Sequence, residues 1–236
     1  MCHLLESKVK DLSLVLNEKQ KRQFEDYYRI LVEWNNVMNL TAITEYEEVI
    51  EKHFIDSLSI VNVIDFCKIY NVIDIGTGAG FPGIPLKIAF PKIQITLLDS
   101  LNKRVNFLNE VIEHLSLTDI HAVHGRAEDY AKQKEYREQY DLCVSRAVAN
   151  LSTLSEYCLP YVKIHGFFIP YKSGDIDDEL QKSERAVNIL GGSVNEVIRF
   201  QLPGTDINRS FVKIRKIKST AKKYPRKAGL PSKEPL

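Results

Sequence analysis

The segment Val72-Ile73-Asp74-Ile75-Gly76-Thr77-Gly78-Ala79-Gly80-Phe81-Pro82-Gly83 constrains this chain more than any other. An apolar, β-branched run carrying an acid enters a loop with four glycines in eight residues. A second run, Ile93–Leu98, ends in Asp99. Short apolar runs of this kind predict buried strands. Glycine takes positive φ at no steric cost, so the chain can turn sharply from strand into helix, and a missing Cβ lets a ligand touch the backbone. Two strand tips with acids and a glycine turn between them predict a nucleotide-type pocket. A bare structural turn is the weaker reading, because so many glycines weaken a fold. The ligand is a dinucleotide or S-adenosylmethionine. Read from Gly78, the text fits G-x-G-x-x-G. The strand ends at Gly76, however, which sets the frame G-x-G-x-G with Phe81 in the sixth place. Asp74 beside the loop opposes a pyrophosphate and suits a ligand bearing a sulfonium and an ammonium. S-adenosylmethionine is therefore the better fit, with a dinucleotide as the alternative.

The rest of the chain divides by pattern. Residues 1–67 read as a helical segment packed on the core: Phe24, Tyr27, Tyr28, Leu31, Trp34 and Met38 recur at helical spacing, as do Ile50, Phe54, Ser57, Val61 and Ile64. Thr44-Glu45-Tyr46-Glu47 has the form of a capping box. Over 68–218 strands and helices alternate. Strands are expected at 71–75, 93–98, 119–124, 140–145, 165–171, 193–201 and 210–217. Helices are expected near 83–90, 101–115, 127–136, 150–161 and 174–190, with Leu101, Val105, Leu108, Ile112 and Leu115 on one apolar face. Alternation implies a parallel sheet covered on both sides. The last two strands are too close for a helical crossover and should form an antiparallel hairpin. This is an α/β, Rossmann-like, seven-stranded class I methyltransferase architecture with an N-terminal helical segment.

Composition bounds the function classes. No run approaches 18 apolar residues, so no membrane span is expected. Cys2, Cys67, Cys143 and Cys158 are scattered without a C-x-x-C pair, and the six histidines lack ligand spacing. The expectation is a cytoplasmic protein without metal, its cysteines buried as small apolar residues. From Arg209 onward ten Lys and Arg face one acid, a net charge of +9; with +1 overall, the rest of the chain carries −8. A basic strip on an acidic body predicts phosphate binding, especially along the tail 219–236, where Tyr224-Pro225-Arg226-Lys227 and Gly229-Leu230-Pro231 interleave other residues with charge. A solvated appendage is the plain alternative.

The ordered set of motifs resembles the bacterial 16S rRNA guanine-N7 methyltransferase family, also called glucose-inhibited division protein B. The marks run from Trp34-Asn35, Asn39-Leu40-Thr41, His53 and Asp56-Ser57-Leu58 through the glycine loop. They continue with Leu98-Asp99-Ser100, Gly125-Arg126-Ala127-Glu128, Ser145-Arg146-Ala147 and Tyr171-Lys172, and end at Lys223-Tyr224-Pro225-Arg226-Lys227-Ala228-Gly229-Leu230-Pro231. Two departures stand out. Ser173 replaces a usual glycine, and Thr220-Ala221 replaces Thr-Pro, which implies a looser tail. The resemblance implies methyl transfer from S-adenosylmethionine to N7 of a guanine in the 530 loop of 16S rRNA, at position 527 in usual rRNA numbering. The substrate is then 16S rRNA, the small ribosomal subunit or its precursor, and the enzyme a monomer. A dinucleotide-dependent oxidoreductase and a non-catalytic RNA-binding assembly factor are the rival readings.

The residues take roles accordingly. Gly76, Gly78 and Gly80 let the methionine part of the cofactor lie on backbone, and Asp74 takes its ammonium or caps the turn. The resemblance marks Gly76 and Phe81 as cofactor contacts; a core aromatic is the other role for Phe81. Asp99 stands where ribose-binding acids sit, or caps the next helix, a task that Ser100 can do in its place. Ala127 and Glu128 read the adenine edge, a role the family supports; otherwise Glu128 is a solvated acid. Arg146 ends the fourth strand among apolar residues, where an unpaired charge is costly, and the family places it at the cofactor. Lys172, Lys222, Lys223, Arg226 and Lys227 are candidate RNA contacts. His53 and Asp56 share a helix face; a catalytic pair is one reading, and the expectation is that they orient the helical front against the core. Guanine N7 carries no proton, so no catalytic base is expected.

Overall fold

The computed structural model describes residues 2–146 and 149–236. Ala147 of the Ser145-Arg146-Ala147 motif lies outside the described residues, as does the side chain of Cys2. The helical front holds α1 (Cys2–Asp11) and α2 (Glu18–Met38). A continuous helical run follows: α3 (Tyr46–Val49), a π-helical stretch (Ile50–Ile55) and α4 (Asp56–Leu58). A capping box does open a helix, but it is at α2: the Asn17 side chain accepts from the Gln20 amide, and the Gln20 side chain accepts from the Asn17 amide. The box expected at Thr44 does not form; Glu45 occupies the cap position with no side-chain cap bond.

From β1 (Asn71–Ile75) the chain alternates through α5 (Gly83–Ala89), β2 (Gln94–Asp99), α6 (Asn102–His114), β3 (Ile120–His124), α7 (Ala127–Tyr130), β4 (Tyr140–Arg146) and α8 (Leu151–Cys158). Then come β5 (Val162–Ser173), α9 (Asp177–Ile189), β6 (Gly192–Gln201), β7 (Asn208–Lys216) and α10 (Leu230–Lys233). One seven-stranded sheet results, in the order β3-β2-β1-β4-β5-β7-β6. The first five strands pair in parallel, and β7 pairs antiparallel to both β5 and β6, the β6–β7 hairpin being what the short 202–207 link requires. The strand order reverses between β1 and β4, the place where open α/β sheets bind ligands beyond their carboxyl edge.

Successive strand residues serve opposite faces. Val72, Leu97 and Leu142 pack into a core shared with Leu5, Phe24, Leu31 and Phe54 of the helical front. Ile73, Cys143 and Phe168 pack on the other face with Leu154 of α8. Three local expectations are corrected. The helix expected over 127–136 stops at Tyr130, because exposed Lys132-Gln133-Lys134-Glu135 offers no apolar stripe to bury. Leu101 precedes α6 and is 52% exposed rather than on its apolar face. Cys67 is exposed, since the short turn Phe66–Lys68 buries only Phe66, while Cys143 and Cys158 are buried. Among the described residues no helix is long and apolar enough to cross a membrane.

Candidate cofactor site

The glycine loop is wired to the tip of β2. The amides of Gly76 and Thr77 donate to the Leu98 carbonyl at 2.8 and 3.2 Å. The Gly78 amide donates to Asp99 Oδ2 at 2.9 Å. Gly76, Gly78 and Gly80 all have positive φ (69°, 61° and 95°), which explains their identity. A Cβ on Gly78 would meet nothing within 4 Å, so the loop presents open backbone there. A Cβ on Gly83 would fall 2.2 Å from Leu97 Cδ2, so Gly83 lets α5 pack against β2. That is the helix-packing place of the third glycine in a dinucleotide fingerprint. The loop frame alone therefore does not separate the two cofactors.

Asp74 lies fully buried beneath this loop. Its Oδ2 accepts from Thr77 Oγ1 at 2.6 Å and from the Gly83 amide at 2.9 Å, the turn-capping role. Its Oδ1 is buried without a partner among the described residues. Burial pushes the carboxyl up to about 6, against the pull of those hydrogen bonds. Ionised at neutral pH, it favours a cation and opposes a phosphate, which is where the fit to S-adenosylmethionine rests. Asp99 is 2% exposed. Besides Gly78 it accepts from the Leu101 amide at 2.9 Å and pairs with Arg104 at 3.4 Å. The start of α6 is thus held by Asp99 rather than Ser100.

Arg146 looks toward the helical front. Its guanidinium pairs with Asp56 at 2.8 Å, donates to the Lys52 carbonyl at 3.2 Å and lies 3.3 Å from His53 Nδ1. Asp56, 2% exposed, also receives Arg209 at 2.7 Å, so one carboxylate ties α4 to β4 and β7. The π-helical stretch carrying His53 sets this geometry, a backbone irregularity common at functional sites. The His53 ring stacks on Phe81 at 4.4 Å, and the Arg146 guanidinium sits 5.0 Å above the same ring. Burial, then the Arg146 charge, push His53 down to about 3, so it stays neutral. Phe81, 5% exposed, is thus gripped by protein groups as a core aromatic would be.

A cleft of about 320 Å³ opens beside the loop, and its lining includes Gly76, Leu98, Ser100, Ala127 and Glu128. Sequence reasoning did not place Tyr157 of α8 or Gly229 of the tail in this lining. A larger cavity, about 760 Å³ between Phe66 and Phe90, lies before β1 and β2 and includes none of the expected site residues. Glu128 is not a solvated acid: it is 6% exposed and its Oε1 accepts from the Gly229 amide at 2.8 Å.

The basic strip is less continuous than its sequence. Arg226 forks onto fully buried Glu156 with contacts of 2.7–3.1 Å, and Lys172 pairs with Glu179 at 2.7 Å while donating to the Ala149 carbonyl. Both cations are thus paired with carboxylates of their own chain. Lys216 is 0% exposed and donates to the Leu159 carbonyl, burial pushing it down to about 8. Lys222, Lys223 and Lys227 remain exposed. The looser tail implied by Ala221 is not found: Thr220 is buried, and Arg137 donates to the carbonyls of Thr220, Ala221 and Tyr224.

Comparison with known proteins separates what the loop frame does not. The family model for rRNA small subunit methyltransferase G matches residues 20–212. The ribosomal RNA small subunit methyltransferase G of Lachnoclostridium phytofermentans is 55% identical over 228 residues, 97% of this chain and 94% of that protein. Its namesake from Desulforamulus reducens is 53% identical over 232 residues, 98% of this chain and 97% of its own. The chain belongs to the rRNA small subunit methyltransferase G family. Solved structures agree on the fold of this family member. TYW2 of M. jannaschii in complex with AdoMet superposes with a TM-score of 0.56 at 12% identity, covering 75% of this chain and 80% of that one. Precorrin-6y C5,15-methyltransferase of Geobacter metallireducens does so with a TM-score of 0.51 at 14% identity, covering 75% and 92%.

Proposed function

We propose that this chain transfers a methyl group from S-adenosylmethionine to N7 of a guanine in 16S rRNA, acting as a cytoplasmic monomer on the small subunit or its precursor. The observation that carries this reading is the buried Asp74 carboxylate under an open glycine loop, in a chain of the rRNA small subunit methyltransferase G family. A dinucleotide oxidoreductase has no support from the comparisons, and neither has a non-catalytic assembly factor.

When bound, S-adenosylmethionine supplies the electrophilic methyl group. Asp74, with one oxygen unpartnered, is the acid placed to balance the ammonium end, directly or through a water. The backbone of Gly76, Gly78 and Gly80, with Phe81 behind it, carries the methionine part. Asp99 faces the ribose, and Ala127 and Glu128 the purine. Arg146 closes the switch point beside them. Guanine N7 offers an in-plane lone pair and no proton, so the chain need not remove one. Its work is to hold the acceptor within about 3–3.5 Å of the methyl carbon along the line of displacement. In A-form duplex the N7 edge lies in a groove side chains do not enter, so the target guanine is expected unstacked in a loop. Lys222, Lys223 and Lys227 are exposed cations of the tail that would contact phosphates.

The test is incubation with methyl-labelled S-adenosylmethionine and 16S rRNA or small subunits from cells lacking this protein. Label recovered as 7-methylguanosine is the expected result. Label in another methylated nucleoside, or none, rejects the reading.

A further inference from the structure

The tail is fastened at points that converge on the cofactor cleft. Thr153, Glu156 and Tyr157 lie on one face of α8, at the three- and four-residue spacing that brings side chains together. All three hold the tail. Thr153 Oγ1 donates to the Pro231 carbonyl at 3.0 Å. Glu156 receives the Arg226 amide at 2.7 Å together with its guanidinium fork. The Tyr157 hydroxyl meets Ser232 Oγ at 2.6 Å. Between these anchors the Gly229 amide donates to Glu128, at the β3 side of the cleft. Gly229 and Tyr157 line that cleft together with Gly76 and Leu98.

A flat heteroaromatic ligand fits such a slot. Its lining combines the end of β1 and the loop with a glycine backbone and a tyrosine from much later in the sequence. Gly229 has φ +82°, and a Cβ built on it would meet nothing within 4 Å, so the wall is bare backbone. Glu128 contributes a carboxylate held in place by the tail itself. A carboxylate accepts several hydrogen bonds, so one to Gly229 leaves capacity for an exocyclic amine.

We propose that the C-terminal segment Tyr224–Lys233 is the outer wall of the cofactor pocket, with Tyr157 and Gly229 packing on the purine and the Arg226–Glu156 pair holding that wall closed. Tyr157 and Gly229 are then binding residues. Arg226 is a positioning residue that acts on the cofactor through the tail. The inference rests on the S-adenosylmethionine reading above and extends it to a segment that the sequence assigns to RNA alone. Arg226 suits the anchoring task, because its planar fork meets both oxygens of a buried carboxylate, which a lysine does not reproduce.

The experiment uses the full chain without RNA, with S-adenosylhomocysteine as the probe. Amide hydrogen exchange over residues 222–233 should slow at least threefold on saturation. In calorimetry, Tyr157→Ala should weaken binding about tenfold, in line with removal of an aromatic ring that packs on a base. Arg226→Lys should weaken it about fivefold while retaining the charge. With the variant shown by circular dichroism to be fully folded, it should weaken 5′-methylthioadenosine, which keeps only the adenosyl end, by the same factor, which assigns the loss to that end of the ligand and not to a smaller folded fraction. Binding with unchanged exchange over 222–233, and a folded Tyr157→Ala chain within twofold of the parent, would overturn the inference and leave the proposed function standing. A chain that binds neither compound would overturn both.

Discussion

The Asp56 carboxylate is the joint between the helical front and the sheet, and its removal has a calculable consequence. It is 2% exposed, with one oxygen on Arg146 at 2.8 Å and the other on Arg209 at 2.7 Å. Removing one partner of a buried ion pair costs about 3–5 kcal/mol, because the remaining charge is left uncompensated. Here the two guanidiniums are 14% and 20% exposed, and each keeps a carbonyl, of Lys52 and of Asn208. Water and those carbonyls relieve part of the penalty, so the low end, about 3 kcal/mol, applies to Asp56→Ala. For a chain of this size about 2–4 °C of melting temperature goes with each kcal/mol, which gives a fall of roughly 6–12 °C. Thermal unfolding followed by circular dichroism measures it. A cycle with Arg209→Ala should return a coupling of about 1–2 kcal/mol, as residues in one ion-pair network do. Cofactor affinity, measured on the folded fraction, should fall as well, because Arg146 loses the partner that fixes it over Phe81. A fall below about 2 °C with unchanged cofactor affinity would refute the reasoning, since the carboxylate would then be neither joint nor guide.

Other outcomes follow from the same geometry. Asp74 is pushed up from 3.8 to about 6. The native state therefore holds its proton over a pH range where the unfolded chain has lost it. Its contribution to stability is full below about 4 and lost as pH rises through about 6. S-adenosylmethionine affinity should move oppositely, rising from pH 5 to 7 as the carboxylate forms, and Asp74→Asn should flatten both profiles in calorimetry and urea titration. Gly76→Val should abolish S-adenosylmethionine binding while circular dichroism shows the fold retained; unchanged affinity rejects the loop reading. Arg146→Ala should lower methyl transfer more than it lowers the folded fraction, and the opposite ranking makes the arginine structural. Replacing Lys222, Lys223 and Lys227 together by alanine should flatten the slope of RNA affinity against log salt by about 2–3, near 0.7–0.9 for each phosphate left unneutralised; an unchanged slope places the RNA surface elsewhere.

Much of this fold is legible because burial writes it into the chain. The runs at β1 and β2 are buried on both faces of a parallel sheet and so read as continuous apolar text, and the short link before β7 forces the hairpin. The loop glycines are equally legible, because positive φ leaves few other choices. What the sequence conceals is pairing at a distance. Arg226 and Lys172 look like free cations until the fold brings Glu156 and Glu179 to them. Glu128 looks solvated until Gly229, 101 residues later, donates to it. Tyr157 sits on the short, largely buried helix α8, and nothing local marks it as a wall of the cleft. The four-residue α7 shows the converse limit, since helical propensity in 131–136 fails without an apolar face.

The central claim is methyl transfer to a single guanine N7 of 16S rRNA, and mapping the product tests it most directly. Small subunits from cells lacking this protein are incubated with it and S-adenosylmethionine. The rRNA is then treated with borohydride and aniline, which cut the chain at 7-methylguanosine, and the break is located by primer extension. The account predicts one new enzyme-dependent break, in the 530 loop at guanine 527, absent when S-adenosylmethionine is omitted. Breaks at other guanines, or methyl incorporation with no break at all, contradict it.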